Sequence, residues 1–555
     1  MEPVGIVLGS KPSNPLEFWV GIERGSYLQL DDVVMVVSKV EGTDREIRFY
    51  GLVHEVQKIL EGVDLVYDEK LASSGIVPAN IAYMAKVTVT RIEPEIFVPP
   101  TPGDPAYRAT GKDLEKALYY DTMRSKIPAG LSRNGEVVYL NYDFINGREG
   151  AHVSISGMSG VATKTSYALF LLYSIFQKAE DRNSVHGLIF NVKGKDLLWI
   201  DKKNKRFSKE HENAFRRMDL DPKPFTDVGF FAPPERPGSP IPAVGDPDLT
   251  SKVSPFCWSM KEFAQEGLLK FLFAEGDEGT TSLHYVIDRV TEKLQQLAKE
   301  SPGDILIDET GREIESLKDL VKLLHEVIED RETKRDPDRY REWFGTAATA
   351  TAYAFLRRFH HASTHCKNLI YGTTSRPINW RDNRLTVIDI SDLHGIAKMF
   401  VVGSILKRIF KEKEESGNPY PKIFVVLDEL NKYAPKDRWS PIKDILLDIA
   451  ERGRSLGVIL IGAQQTASEV EKRIVANAAV KVTGRLDSSE VLSKEYEFLT
   501  GNFKQRAIML KKGSMILYQP DIPNPIMISF PLGPWATKKE EATEEVYVPE
   551  EFDQF

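Results

Sequence analysis

Cysteine is scarce: Cys257 and Cys366 are the two in 555 residues. That density argues against a disulfide framework and for reduced, buried thiols. Long apolar runs are missing too. No stretch is long enough to span a bilayer, and the opening MEPVGIVLGS lacks a basic segment followed by a hydrophobic one. The expected setting is cytoplasmic, with no membrane partner. Nor is there an excess of positive charge: 73 Lys and Arg stand against 81 Asp and Glu, a net −8. A protein that grips nucleic acid with its outer surface is usually basic. Either nucleic acid is not a partner here, or the cations are gathered in a protected channel.

What is present divides the chain. Its length suggests two to four domains. Residues 1–97 carry short runs rich in Val, Ile and Tyr (EFWVGI, IRFYGLVHEVQ, AYMAKVTVTRI) and read as a small β-barrel or sandwich. FVPPTPGDP (97–105) is a Pro-rich break. Then the period changes. HVSIS (152–156) predicts a strand, KTSYALFLLYSIFQKAE (164–180) a helix apolar around most of its girth, and VHGLIFNV (185–192) the next strand. Strand, buried helix, strand is the unit of a parallel α/β sheet. Further strands are expected at 227–232, 384–390, 422–429, 457–463, 479–485 and 514–519. The core is thus assigned to 106–259 and 366–535, a helical insertion to 260–365, and an acidic arm to 536–555.

The loop GMSGVATKTS between the first strand and its helix suggests a phosphate cradle. Backbone N–H groups at a helix N-terminus attract anions. Gly157, Ser159, Gly160, Val161, Ala162, Thr163, Lys164, Thr165 and Ser166 are the candidate nucleotide-binding residues. Lys164 would reach the β- and γ-phosphates and Thr165 would offer its hydroxyl to Mg²⁺. The spelling departs from G-x-x-x-x-G-K-[ST]: Gly157 precedes Lys164 by seven, and Thr163 replaces the last Gly. A plain strand–turn–helix is the competing reading of this segment alone.

Downstream, KIFVVLDEL ends an apolar strand in Asp428 and Glu429. A buried strand delivering Asp to magnesium, with an adjacent Glu to take a proton from water, is the pattern of P-loop hydrolysis. GVILIGAQQT ends another strand in Gln464, placed to sense a γ-phosphate if that strand neighbours the acids. Arg485 is the first candidate for a cation supplied to a neighbouring protomer, with Arg148, Arg452 and Arg454 as others. The basic stretch VKGKDLLWIDKKNKR (192–206) and KDRWSPIK (436–443) are candidates for contacting phosphates along a pore. HHASTHC sets His361 and His365 four apart with Cys366 alongside, a spacing that suits zinc on a helix face. No second ligand pair stands near in sequence, which favours a polar helix end.

In the order barrel, loop, VVLDEL, IGAQQTASEV, the chain resembles the HerA family of hexameric DNA-translocating ATPases. PSNPLEFWVGI and IPAGLSRNGEVVYLNYDFINGREGAHVSISG also carry the resemblance. It implies a RecA-like P-loop core, ATP with Mg²⁺, and a homo-hexameric ring around double-stranded DNA. It further implies a partner nuclease of the NurA type in DNA-end processing, or another effector in phage defence. Lys164 and Thr165 would take the loop roles, Asp428 would hold magnesium, Glu429 would activate water and Gln464 would act as sensor. The family's arginine before the loop strand falls on Ala151, which leaves the trans-acting finger open between Arg148 and the later arginines. The competing classes are a nucleotide-binding scaffold with poor turnover and a secretion- or conjugation-type motor.

Overall fold

The alternating residues of the first hundred positions close on themselves. In the computed structural model, which describes residues 2–61, 80–158, 164–273 and 281–543 together with Lys70 and Ser74, they form a barrel. Its strands are β1 (Gly5–Val7), β2 (Glu17–Ile22), β3 (Val33–Lys39), β4 (Glu46–Glu61), β5 (Asn80–Glu93) and β6 (Pro105–Arg108). They pair in the closed order β1-β2-β5-β4-β3-β6. Phe18, Val20, Val34, Val36, Phe49 and Val87 fill the interior, as the period of two dictates. Closure needs β6, which pairs with both β1 and β3. The barrel therefore runs past the Pro-rich stretch.

The chain forms two compact units, Met1–Phe144 with Lys178–Glu180 and Val480–Pro531, and Ile145–Gln177 with Asp181–Ala479 and Leu532–Phe555. The first unit holds the barrel and five antiparallel strands. These are β7 (Lys126–Leu131) and β8 (Val137–Asn141), with β16 (Val480–Thr483), β17 (Ser514–Tyr518) and β18 (Ile526–Ser529) from far along the chain. They run β16-β17-β18-β7-β8. Within this unit Arg506 grips Asp31 with both guanidinium nitrogens, at 2.8 and 2.5 Å, a bidentate pair with fixed geometry.

The second unit is a parallel sheet of seven strands. β9 (Val153–Ser156), β10 (Val185–Asn191), β11 (Val228–Ala232), β12 (Val253–Pro255), β13 (Leu385–Asp389), β14 (Lys422–Asp428) and β15 (Val458–Gln464) stand in the order β12-β11-β13-β10-β14-β15-β9. Every residue of β13, β14 and β15 is buried, which is why these strands read as unbroken apolar runs. Helix Lys164–Lys178 buries Tyr167, Leu171, Leu172 and Ile175 completely. Each such aliphatic side chain contributes about 1.5–3 kcal/mol.

Two local devices set the strand ends. Gly457 (φ 71) terminates helix Lys443–Leu456 and opens β15, and a Cβ there would lie 2.0 Å from the Pro419 carbonyl oxygen, so glycine is required. His152, buried at φ 67 just before β9, accepts the Leu460 N–H on Nδ1 at 2.9 Å. Burial pulls its imidazole down to about 4, so the ring stays neutral and keeps that lone pair.

Between β12 and β13 the described residues are mainly helical, with Met260–Gln265, Thr281–Glu300, Leu317–Glu332, Pro337–Phe344 and Thr349–Cys366 as its helices. Ser259, Ser316 and Asp336 cap three of them by accepting backbone N–H groups. Of the acidic arm, residues 544–555 lie outside the described part. Before them Glu541 is buried against Thr537 and Asn204.

Candidate nucleotide site at the carboxyl edge of the parallel sheet

In an open parallel sheet, ligands collect beyond the carboxyl ends of the strands. Here β15 lies between β14 and β9, with Asp428 level with Ala463 and Gln464 level with Ser156. Three strand ends thus converge: Gly157 after β9, Gln464 at the end of β15, and Asp428 with Glu429 at the end of β14. This neighbouring of β14 and β15 is the condition on which the sensor role of Gln464 depended.

Ser159, Gly160, Val161, Ala162 and Thr163 lie outside the described residues. Lys164, 5% exposed, opens the helix and donates from Nζ to the Gly157 carbonyl at 2.6 Å. Burial pulls its ammonium below the ordinary lysine value, against the opposing pull of Asp428. The Thr165 hydroxyl donates to Asp428 Oδ2 at 2.9 Å across 263 residues of sequence. One hydroxyl and one carboxylate meeting at a helix N-terminus are the hard oxygen donors that Mg²⁺ prefers. Ser166 follows, half-buried in the same first turn.

Glu429 stands apart by its backbone. It sits at φ 57, ψ 40, a left-handed conformation that a non-glycine residue adopts at a cost of order 1–3 kcal/mol. Its N–H donates to Asp428 Oδ1 at 2.8 Å. Its carboxylate is held by Lys432 at 2.7 Å and Lys193 at 3.4 Å, and Lys193 also lies 3.8 Å from Asp428 Oδ2. Burial alone would raise the Glu429 carboxyl, but the hydrogen bond from Lys432 and the charge of Lys193 outweigh it and hold the group below its ordinary value. Gln464 is fully buried and donates to Ser154 Oγ at 2.8 Å. Its Oε1 is buried with no hydrogen-bond partner among the described residues, while its backbone carbonyl accepts the Gly157 N–H at 3.2 Å.

Sequence reasoning missed the lysines around Glu429. Lys193 belongs to the basic stretch that was one candidate for contacting phosphates along a pore; Lys193, Lys195, Lys202 and Arg206 each face a carboxylate of their own chain. In KDRWSPIK, Lys443 pairs with Glu471 at 2.9 Å and Lys436 donates to the Ser468 carbonyl. A signal was available for Lys193: it follows the strand adjacent to β14 by two residues.

The arginines separate. Arg452 pairs with Glu414 and Asp448 at 2.5 and 3.0 Å. Arg454 donates to the carbonyls of Gly147 and Arg148, tying that turn to its own helix. Arg148 is exposed on that turn, and Arg485 is exposed just after β16 in the first unit. Cys257 and Cys366 are both free thiols, buried as expected.

A parallel sheet with an acid pair ending β14 and a glutamine-ended strand between that pair and Gly157 after β9 has the architecture of a RecA-like core, here accompanied by a small six-stranded barrel. No known family's profile matches the chain, and no curated protein matches it. Solved structures do. VirB4 of Thermoanaerobacter pseudethanolicus is 14% identical at a TM-score of 0.43, covering 73% of this chain and 96% of its own. The bacterial conjugative coupling protein TrwBdeltaN70, unbound, is 12% identical at 0.48, covering 79% and 95%. The plasmid coupling protein TrwB in complex with ADP and Mg²⁺ gives the same figures. Identities this low transfer no residue's role. Among the described residues no helix is long and apolar enough to cross a membrane.

Proposed function

We propose that this chain is an ATP-hydrolysing motor subunit that moves double-stranded DNA as a homo-hexamer. One observation carries the enzymatic part: the Thr165 hydroxyl on Asp428 at 2.9 Å, with Glu429 beside it and Lys164 at the loop's end. Lys164 exchanges the Gly157 carbonyl for the β- and γ-phosphates. Thr165 and Asp428 would hold Mg²⁺, which supplies positive charge to the phosphate oxygens. Glu429, kept ionised by its lysines, takes a proton from the attacking water once Lys193 and Lys432 yield, and the orphaned Oε1 of Gln464 accepts from a group in the same crevice. Arg148 and Arg485 are the proposed fingers toward a neighbouring protomer. The ring, the DNA and a NurA-type nuclease or defence effector rest on the motif order alone.

The test is ATP turnover with and without linear duplex DNA, in the wild type and in Glu429→Gln. DNA-stimulated turnover that falls by about 10²–10⁴ in the variant, with ATP binding kept, is expected for a general base. A second reading, a nucleotide-holding scaffold, is favoured by the double lysine grip on Glu429. It predicts tight ATP binding with negligible turnover in both proteins. Stimulation by a membrane fraction but not by DNA would instead indicate a secretion-type motor.

A further inference from the structure

We infer that His361, His365 and His394 form a binding site for one divalent transition-metal ion of the zinc class, fastening the helical insertion to the helix that follows β13. The ligand atoms of the three imidazoles lie within 4.8 Å of one another. His361 and His365 project four residues apart from the last turns of helix Thr349–Cys366, with ring centroids at 4.8 Å. His394 is the cap of helix Gly395–Ser416, and its ring stacks on His365 at 3.7 Å, inclined by 10°. The third ligand comes from beyond β13, which is why HHASTHC alone looked incomplete.

The chemistry selects the ion. Three imidazoles, with no carboxylate in the cluster among the described residues, favour Zn²⁺, Ni²⁺ or Cu²⁺ over Mg²⁺ or Ca²⁺. His361 and His394 are exposed and His365 is half-buried, so an ion has access. Cys366 is not a ligand: it is fully buried and lies outside the cluster of ligand atoms. Among the described residues the one competing hydrogen bond is weak. His394 Nδ1 accepts the Ile396 N–H at 3.3 Å, a long cap bond. Zinc–imidazole coordination far exceeds one such bond. Three imidazoles leave a fourth tetrahedral position to solvent, so the site joins two helices without being closed.

The test uses the full chain, freed of metal by a chelator and titrated with Zn²⁺, then with Co²⁺ to read the visible absorption of the bound ion. One equivalent is expected to bind at micromolar concentration or tighter, with tetrahedral cobalt bands and a raised melting temperature. His361→Ala, His365→Ala and His394→Ala should each weaken binding at least ten-fold, while His360→Ala, on the same helix but outside the cluster, should leave it unchanged. Asp428→Asn separates this ion from any at the nucleotide crevice and should also leave it unchanged. Circular dichroism of the metal-free variants checks that each folds. Absence of binding in the wild type, or binding undiminished in His394→Ala, overturns the inference.

Discussion

Lys193 and Lys195 stand two residues apart after β10, and each reaches acids at the end of a neighbouring strand, but the two pairings are built differently. Lys195 lies 2.6 Å from Asp389 and 2.8 Å from Asp392. The Asp389 side chain is 1% exposed, and its other oxygen accepts from Asn191 at 2.9 Å and from the Ser391 N–H at 3.2 Å. Lys193, with half its side chain in solvent, spans Asp428 and Glu429 at 3.8 and 3.4 Å. Gly194 at φ 54 separates them, and β13 and β14 flank β10 on opposite sides. A buried carboxylate with both oxygens occupied is part of the architecture. A solvated ammonium held loosely over two acids can leave when a better cation arrives. The same turn thus supplies one fixed and one exchangeable charge.

Stability should expose the difference first. Lys195→Ala strips the cation from a buried carboxylate, and breaking such a pair costs about 3 kcal/mol, the low end because Asn191 and Ser391 remain bonded. Lys193→Ala should change stability by about 0.5 kcal/mol or less, as an exposed ion pair does. Denaturant unfolding of the two variants checks this, and equal losses would erase the distinction. The pH dependence has a definite sign. Burial lowers Lys195, but its bonds to Asp389 and Asp392 outweigh that and raise it. Its contribution is therefore complete below the ordinary lysine value of 10.5 and is lost only as pH climbs through the higher folded value. A smaller effect belongs to the exchangeable charge. Lys193→Ala should tighten Mg²⁺-dependent nucleotide binding several-fold by removing a competing cation, read by titration with and without Mg²⁺. Lys164→Ala serves as the reference, with binding lost and the fold intact.

The sequence foretold these pairings unevenly, for physical reasons. Wherever burial on both faces writes a continuous apolar run, as in KIFVVLD and VILIGAQ, the strand is legible, and so are the residues that end it. Thr165 and Asp428 could be paired from their places at strand and helix ends alone. The hairpin strands β7 and β8 were not foreseen, because KIPAGL and VVYLN are short and interrupted by Pro and Gly. The pairings in the turn after β10 were not foreseen for another reason. A row of lysines looks the same whether it faces solvent, phosphate or carboxylates folded in from elsewhere, and the partners Asp389 and Asp428 lie about two hundred residues away. His394 was invisible as a companion of His361 and His365 on the same ground: β13 intervenes in sequence, and the helices meet only in the fold.

The finest probe of the exchangeable charge is the protonation of Glu429. With its lysines in place the carboxyl titrates below its ordinary value of 4.5. Its favourable interactions are therefore present above that value and fade as pH falls through the lowered one. In the proposed role of base, Glu429 would then limit turnover only in strong acid. Removing both Lys193 and Lys432 leaves burial as the largest influence, and burial favours the neutral acid. The acid limb of the turnover profile should accordingly move to higher pH in Lys193→Ala/Lys432→Ala, and by less in either single variant, while Lys195→Ala leaves it in place. The profile also tells a catalytic effect from a structural one, since loss of fold lowers turnover at every pH without moving the limb. A limb that stays fixed in the double variant would mean that the lysines do not govern Glu429, and the two charges after β10 would then differ in burial alone.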